Sequence, residues 1–457
     1  MEDSMQALSS ESLRFSAWVH TFNHGETVAC FHALNFGLAF FNKVACGADG
    51  LPLIEGIDQE KRMALVQEGL LVPLEHDDKE DLLRLREKLS KRRYLDMLYL
   101  LLHDGCNLRC AYCFEDVAPS PMHRPSAMSD EVIEQSLSLF GRLSAMYGHP
   151  SEPRMVHLYG GEPLLNPHGV SHAINQTRKF MNSGALPRNT LLTIVTNGTL
   201  MTPELADTFA ENQVSVGLSI DGHEDLTNRH RLSRHGRINV YERVVAAYRA
   251  LRERGVKVGL SVTLTPELVR DFDAGLKFFV EDLGIQDGIC FNILHRHPRF
   301  QTSSAYAEEA AGCMVKAFEL FTKLGIYEER MMRRAQAFIQ RRPTYADCGV
   351  PGNQIVVAPD GVVGLCQDFV KPRQYFSGSV FDTDFDPYKT GLFGDWLKRS
   401  PLFMEACESC PAIGICGGGC PANAEIVTGN KWNIDSRVCP YSLQSLEWLI
   451  WSTHARL

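Results

Sequence analysis

The sequence predicts an α/β protein. Its centre is a parallel sheet of six strands, open as a partial (β/α)6 barrel, with a small α+β unit before it and a cysteine-rich, metal-held unit after it. Three observations predict this. Short apolar or β-branched runs alternate with helical patterns from about residue 96 to about residue 300, the pattern of buried parallel strands joined by crossover helices. The residues before 96 lack that alternation. Past 345 periodicity fades, and seven of the fourteen cysteines fall within 348–439.

Residues 1–95 form the N-terminal unit. Strands are expected at 16–22 and 27–34, with Asn23-His24-Gly25 as the hairpin turn between them. Helical patterns follow, and the charges of 76–93 fit a solvated helix face. The sheet occupies 96–300, with strands at 97–102, 156–159, 191–196, 214–220, 256–263 and 288–294. Ser129 is placed to cap one intervening helix, and Thr202-Pro203 and Thr265-Pro266 each open another. Ligands of such sheets bind at the carboxyl ends of the strands, so the residues just after each strand are where chemistry is expected. A helix over 305–325 begins a helical linker, 301–345. Cys313, Ala317, Leu320 and Leu324 share one face of that helix, and Cys313 reads as core. The last unit is 346–457.

Composition narrows the function. The chain has 457 residues, 44% apolar, with a formal net charge of -9, which disfavours nucleic acid as a partner. Residues 1–15 are acidic and polar and lack the basic and apolar regions of a signal peptide. No apolar run reaches the roughly 18 residues of a membrane span. A cytoplasmic protein is therefore expected, and fourteen cysteines in a reducing compartment point to metal rather than disulfides. Only Cys30, Cys46, Cys290 and Cys313 stand apart from the two cysteine-rich regions.

The first region, Cys106-Asn-Leu-Arg-Cys110-Ala-Tyr-Cys113, directly follows the first strand. A four-iron cube takes four ligands; three local thiolates leave one iron open for chemistry. A zinc site is the competing reading, but zinc sites usually pair two such units, and no second pair follows nearby. The run, with aromatic Tyr112 before its last cysteine, resembles the signature of the radical S-adenosylmethionine (SAM) superfamily. The resemblance implies a [4Fe–4S] cluster on Cys106, Cys110 and Cys113 whose open iron is chelated by SAM. Reductive cleavage then gives a 5′-deoxyadenosyl radical that abstracts hydrogen from substrate. Further motifs follow successive strands. Gly160-Gly161-Glu162-Pro163 resembles the turn whose backbone binds the methionine amino group. Thr193-Ile-Val-Thr196-Asn197-Gly198 resembles the ribose-contacting element, with Thr193 where serine is commoner. Ser219-Ile-Asp221-Gly222 is followed by arginines at 229, 231 and 234. By the resemblance, Ser219 and one arginine, taken as Arg231, hold the carboxylate.

The second region runs Cys348, Cys366, Cys407, Cys410, Cys416, Cys420, Cys439 and resembles the SPASM domain, which holds two auxiliary clusters. The resemblance assigns Cys407, Cys410, Cys416 and Cys439 to an outer [4Fe–4S] cluster and Cys348, Cys366 and Cys420 to an inner one. That inner set has only three thiols, so an open iron, a water, a non-cysteine ligand or a substrate thiolate remains to be assigned. A zinc site on Cys407, Cys410, Cys416 and Cys420 is the alternative. Asp368, two residues past Cys366, is a candidate base, with a turn cap as the plainer role. Cys290 is a candidate hydrogen-atom donor, as an epimerase needs, or a core residue. His295 and His297 end the same strand and line the cleft or merely pack.

Proteins with SPASM domains mostly modify peptides. The expected function is a peptide maturase forming a thioether or carbon–carbon crosslink in a precursor peptide. Flavodoxin or ferredoxin would be the electron donor, and residues 1–95 would grip the precursor's leader by strand addition. Two alternatives share the chemistry: a sulfatase-type maturase oxidising serine or cysteine to formylglycine, and a peptide epimerase. A non-catalytic iron–sulfur electron carrier or a zinc-stabilised binding protein is the alternative of another class; neither has a use for the SAM motifs.

Overall fold

The computed structural model describes residues 12–114, 124–236, 238–295, 300, 302–390 and 392–457. The N-terminal unit begins with β1 (Leu13–Phe15), then β2 (Val19–His24), β3 (Thr27–His32) and β4 (Leu38–Asn42), which pair antiparallel in that order, and β5 (Leu71–Pro73), which pairs with β1. The hairpin is one step later than its sequence suggests. Asn23 and His24 belong to β2, with His24 opposite Thr27. Gly25 and Glu26 form the loop, because Gly25 is the residue with positive φ, +57°. β3 is buried on both faces. Cys30 packs with Leu13, Phe41 and Leu70 inside the unit, while Phe31 stacks on Phe338 of the helix Glu329–Gln340, 5.8 Å between ring centroids. The unit is thus packed onto the rest of the chain. The helix Asp78–Ser90 buries Leu82 and Leu89 and turns its charges outward.

The main sheet has ten strands. Six lie side by side in chain order, all parallel: β6 (Met97–His103), β8 (Met155–Gly160), β9 (Leu191–Thr196), β10 (Ser215–Ser219), β12 (Val258–Leu264) and β13 (Gly288–Ile293). Strand interiors such as Leu98, Leu100, Val156, Leu158, Ile194, Val216 and Leu260 are buried against the helices Asp130–Tyr147, Pro167–Ser183, Pro203–Glu211 and Val240–Glu253; each large aliphatic side chain so buried stabilises by about 1.5–3 kcal/mol. The expected caps are made. Ser129 Oγ accepts from Val132 N, Thr202 Oγ1 from Leu205 N, and Thr265 Oγ1 from Leu268 N, each at 3.3 Å. A separate ribbon pairs β7 (Leu108–Cys110) with β11 (Arg231–Ser233).

The sheet extends past both expected edges. β14 (Tyr327–Glu328) joins β13 in parallel, and β15 (Gln354–Val357) joins β6 in parallel, followed by antiparallel β16 (Val362–Gly364) and β17 (Phe376–Ser379). The stretch expected to be only a helical linker therefore contains a sheet strand between the helices Tyr306–Leu324 and Glu329–Gln340. The stretch expected to be a separate C-terminal unit supplies the strand beside β6, and all four residues of β15 are buried. Leu324 ends its helix exposed, while Ala317 on the same face is buried and the Cys313 thiol donates to Val269 O at 3.7 Å. Among the described residues, no helix is long and apolar enough to cross a membrane.

Candidate active site

A cavity of about 390 Å³ opens at the carboxyl ends of the parallel strands, a size that suits a cofactor-sized ligand. One wall carries Cys106, Cys110 and Cys113, then Gly160, Gly161 and Glu162 after β8, Asn197 after β9, Ser219 at the end of β10, and Arg231. The same cavity is lined by Cys348, Cys366, Asp368 and Cys420. The structure thus brings residues from both cysteine regions to one space.

The glycine pair after β8 exists because the cysteine loop runs against it. Gly160 has φ +141°, and a Cβ there would stand 2.2 Å from His103 O; at Gly161 a Cβ would stand 2.5 Å from Gly105 O. Instead the backbones bond, Gly161 N to His103 O and Glu162 N to Gly105 O, each at 2.9 Å. The far side of the loop is held by the β7–β11 ribbon, in which Arg231 is opposite Cys110, and by Ala111 N donating to His230 O at 2.8 Å. Both ends of the three-cysteine loop are therefore fixed by backbone.

Glu162 is buried and its carboxylate is fully engaged. Oε1 accepts from Leu164 N at 2.9 Å and Thr196 Oγ1 at 2.6 Å, and Oε2 accepts from Asn197 N at 2.7 Å. Burial pushes its carboxyl up to about 6, against the pull of these donors. Glu162 locks the turn after β8 to the loop after β9, and Pro163 opens the short helical turn Pro163–Leu165 that follows. Asn197 Nδ2 donates to Asn107 Oδ1 at 2.9 Å and approaches Cys106 Sγ at 3.8 Å. Thr193 sits deeper than its motif suggests. Its hydroxyl bonds His157 Nδ1 at 2.5 Å, outside the cavity lining, and His157 stacks on Tyr99 at 4.4 Å.

Asp221, wholly buried, accepts from Arg231 Nε and Nη2, each at 2.9 Å, from Thr263 N at 3.2 Å, and from the Tyr112 hydroxyl. The cluster loop, through Tyr112, and the sheet, through Thr263, thus meet on one carboxylate, and a bidentate pair fixes the Arg231 guanidinium. Burial, only partly offset by Arg231, holds the Tyr112 phenol well above its ordinary range. The three arginines are now distinguished: Arg231 is buried and lines the cavity, Arg229 is exposed, and Arg234 Nε is turned to Leu108 O at 3.0 Å.

The C-terminal cysteines fall into two groups by electrostatic reach. Burial pushes Cys407 up to about 11 and Cys439 up to about 12; beyond burial, Cys407 feels Cys416 and Cys410, and Cys439 feels Cys416, Cys410 and Cys407. Burial also raises Cys366 and Cys420, which beyond that feel Asp368 first and then, among thiols, Cys420 and Cys348 in the case of Cys366 and Cys348 in the case of Cys420. Cys348 keeps an exposed edge, yet crowding around its thiol pushes it up to about 11. This grouping separates Cys420 from the four-thiol set of the zinc alternative and puts Cys439 in its place. Buried thiols gathered so closely stay protonated unless a cationic centre holds them as thiolates. The donor sets therefore fit iron–sulfur clusters, and the cavity wall fits SAM. The cysteine-rich segment is tied to the sheet by Arg437, which forks onto buried Asp435 (2.8 and 2.6 Å) and donates to Ile293 O and Leu294 O at 2.8 and 2.9 Å. Asp435 in turn accepts from Cys420 N at 3.0 Å.

The remaining predicted residues separate. Cys290 faces the same side as Asn292 but lies below the cavity wall, its thiol directed at Asn292 Oδ1 (3.7 Å) and pushed up to about 12 by burial. Asp368 and His295 line the cavity, and one ligand atom of each lies within 4.8 Å of the other and of Cys420 Sγ. His297 lies outside the described residues. Sequence reasoning missed Asn292 and Arg330, both in the lining, where Arg330 Nη2 donates to Asn292 Oδ1 at 2.7 Å. Strand alternation from Cys290 points to Asn292; Arg330 carried no signal because its helix was taken for a linker.

Residues 100–279 match the Radical SAM superfamily, and the features above are those expected of a radical SAM domain. Its relatives make the placement more particular. The chain is 25% identical over 337 residues to a cysteine-type anaerobic sulfatase-maturating enzyme of Clostridium perfringens, covering 71% of this chain and 88% of that one. It is 23% identical over 325 residues to the antilisterial bacteriocin subtilosin biosynthesis protein AlbA of Bacillus subtilis, covering 68% of this chain and 64% of that one. In fold it resembles the solved structure of anSMEcpe with bound AdoMet (TM-score 0.63, 21% identical, 79% of this chain and 97% of that chain). It also resembles SuiB of Streptococcus suis bound to S-adenosylmethionine (TM-score 0.56, 16% identical, 93% and 99%), which has also been solved with its precursor peptide SuiA.

Proposed function

We propose that this chain is a peptide maturase that forms a thioether or carbon–carbon crosslink in a precursor peptide, using SAM and three [4Fe–4S] clusters, one for SAM and two auxiliary. One observation carries the reading: the SAM-type motif residues and the three inner cysteines line one and the same cavity. A substrate between them would touch both the site of hydrogen abstraction and a site that can accept an electron.

Bound SAM, once reduced, supplies the radical that takes a hydrogen atom from substrate. The chain supplies position. Cys106, Cys110 and Cys113 would hold the first cluster on a loop fixed at both ends. Arg231, oriented by Asp221, and Ser219 would hold the SAM carboxylate, and Gly160 and Gly161 let their turn pack on the cysteine loop where any side chain would collide. Glu162 and Pro163 shape that turn, and Asn197, in the cavity lining, would contact the ribose. Thr193 would act on that loop from behind, through His157. Cys407, Cys410, Cys416 and Cys439 would hold the outer cluster, and Cys348, Cys366 and Cys420 the inner one. The likeness to SuiB extends over 93% of this chain and so includes the N-terminal unit, which supports a leader-binding role for residues 1–95. Flavodoxin or ferredoxin is the proposed electron donor.

The test is anaerobic reconstitution with iron and sulfide counting, then SAM cleavage. About twelve irons are expected at four per cube, and about eight after Cys106, Cys110 and Cys113 are replaced by alanine, with cleavage abolished. Zinc at 348–439 with no cleavage would overturn the reading. A precursor deuterated at its α- and β-carbons should deliver deuterium into 5′-deoxyadenosine. The similarity to sulfatase-maturating enzymes favours a second reading, oxidation of serine or cysteine to formylglycine, and trapping of an aldehyde in the product would select it.

A further inference from the structure

We infer that Asp368 supplies the fourth protein ligand of the inner cysteine set, so that its centre is held by three thiolates and one carboxylate. The inference rests on the reading of Cys348, Cys366 and Cys420 as an iron–sulfur site. A four-iron cube takes four ligands, and no further thiol is in place: Cys290 lies below the cavity wall, Cys313 faces Val269 on the helical side of the sheet, Cys30 packs inside the N-terminal unit, and Cys46 pairs with Pro52 in that unit. A fourth donor from the chain itself must then be something other than sulfur.

Two side chains stand at the right place. A carboxylate oxygen of Asp368, a ring nitrogen of His295 and Cys420 Sγ lie within 4.8 Å of one another. Asp368 is the better donor on three grounds. It rides on the short turn Gln367–Phe369 directly after Cys366, so one loop delivers both a thiol and the carboxylate. It lines the same cavity as Cys348, Cys366 and Cys420. His295 instead reaches in from the end of β13 and faces the guanidinium groups of Arg437 and Arg330, which sets it beside the set rather than within it. An oxygen ligand also suits iron in its harder, oxidised state and exchanges more readily than a thiolate. This would leave the inner centre the one position where an incoming substrate group can displace a protein ligand.

The test uses the anaerobically reconstituted full chain, comparing wild type with D368A, D368C, H295A and C366A by iron and sulfide count and by electron paramagnetic resonance after mild oxidation. C366A controls for the underlying reading: it should lose about four irons, one cube, and if it loses none, the inner site itself is absent. Given that loss, D368A should lose about one iron per chain and show a three-iron cluster signal that wild type lacks. D368C should restore the iron and suppress the signal, and H295A should match wild type. The proposal is overturned by D368A matching wild type, by a three-iron signal already present in wild type, by H295A rather than D368A producing the signal, or by iron loss in D368A that D368C does not reverse.

Discussion

Removing the Asp221 carboxylate while leaving Arg231 in place should be among the most damaging single changes near the cavity. The Asp221 side chain is fully buried and that of Arg231 nearly so. Asp221 accepts from two guanidinium nitrogens, from Thr263 N and from the Tyr112 hydroxyl. In Asp221→Asn one oxygen becomes an amino group aimed at donors, and the guanidinium is left buried without a counter-charge. Breaking a buried pair from one side costs about 3–5 kcal/mol. Arg231→Met leaves the carboxylate stranded instead and should cost a similar amount. The double variant removes both charges, so it should cost roughly as much as one single, a coupling of about 3 kcal/mol. The assay is urea unfolding of each protein by circular dichroism, alongside equilibrium SAM binding. The two single variants should bind SAM at least about tenfold more weakly, corresponding to about 1.4 kcal/mol, because the guanidinium loses its fixed orientation or is gone. Costs that simply add, or an Asp221→Asn variant within about 1 kcal/mol of wild type, would refute the argument that this carboxylate organises the site.

Three further outcomes follow from the same structure. Burial pushes the Glu328 carboxyl from 4.5 up to about 7. The folded state therefore holds that proton more tightly, and the stability it lends is fully present below pH 4.5 and lost as pH rises through 7. The shift corresponds to about 3 kcal/mol, so Glu328→Gln should gain stability on wild type by about that much between urea titrations below pH 4.5 and above pH 7. Gly161→Ala puts a Cβ 2.5 Å from Gly105 O; displacing the cysteine loop should cut SAM cleavage at least roughly tenfold, since about 1.4 kcal/mol of misplacement suffices, with the auxiliary iron count unchanged. Arg437→Met unties Asp435 and the carbonyls at the end of β13, a one-sided break of a buried pair worth about 3–5 kcal/mol, and should lower iron at the inner site before the first one, as seen by iron analysis after dilution.

The central strands were legible because their runs are long enough to show apolar continuity: 191–196 was read to the residue, and the other five to within two residues. The order of the cysteine, glycine and threonine motifs was legible because each follows its own strand. What sequence could not carry was pairing between distant segments. β15 is only Gln354–Val357, four buried residues among glycines and prolines, too short to distinguish from a loop until β6 is seen beside it. Glu162 and Asp221 read as possible cofactor contacts because charged residues near a motif invite that reading. Their partners, Thr196, Asn197, Thr263 and Arg231, lie on other strands and loops, and only the fold shows that both carboxylates are spent holding the site's walls together.

The continuity of the sheet bears on how the chemistry can be coordinated. β6 leads directly into the Cys106 loop, and β15, hydrogen-bonded alongside β6 from Gln354 opposite Met97 to Val357 opposite Leu100, follows Cys348 and leads through β16 to Cys366. The turns carrying Cys348 and Cys366 are therefore anchored to the same strand that presents the first cysteine loop, while Cys420 is held through Asp435 and Arg437 to the end of β13. Strand neighbours about 4.8 Å apart in a buried sheet do not slide independently. The separation between the two cysteine sets is thus a property of the main sheet rather than of a hinge between domains. A substrate residue held between them would meet a fixed gap, and selection among residues would fall to the side chains that narrow it: Arg330, Asn292, Asp368 and His295.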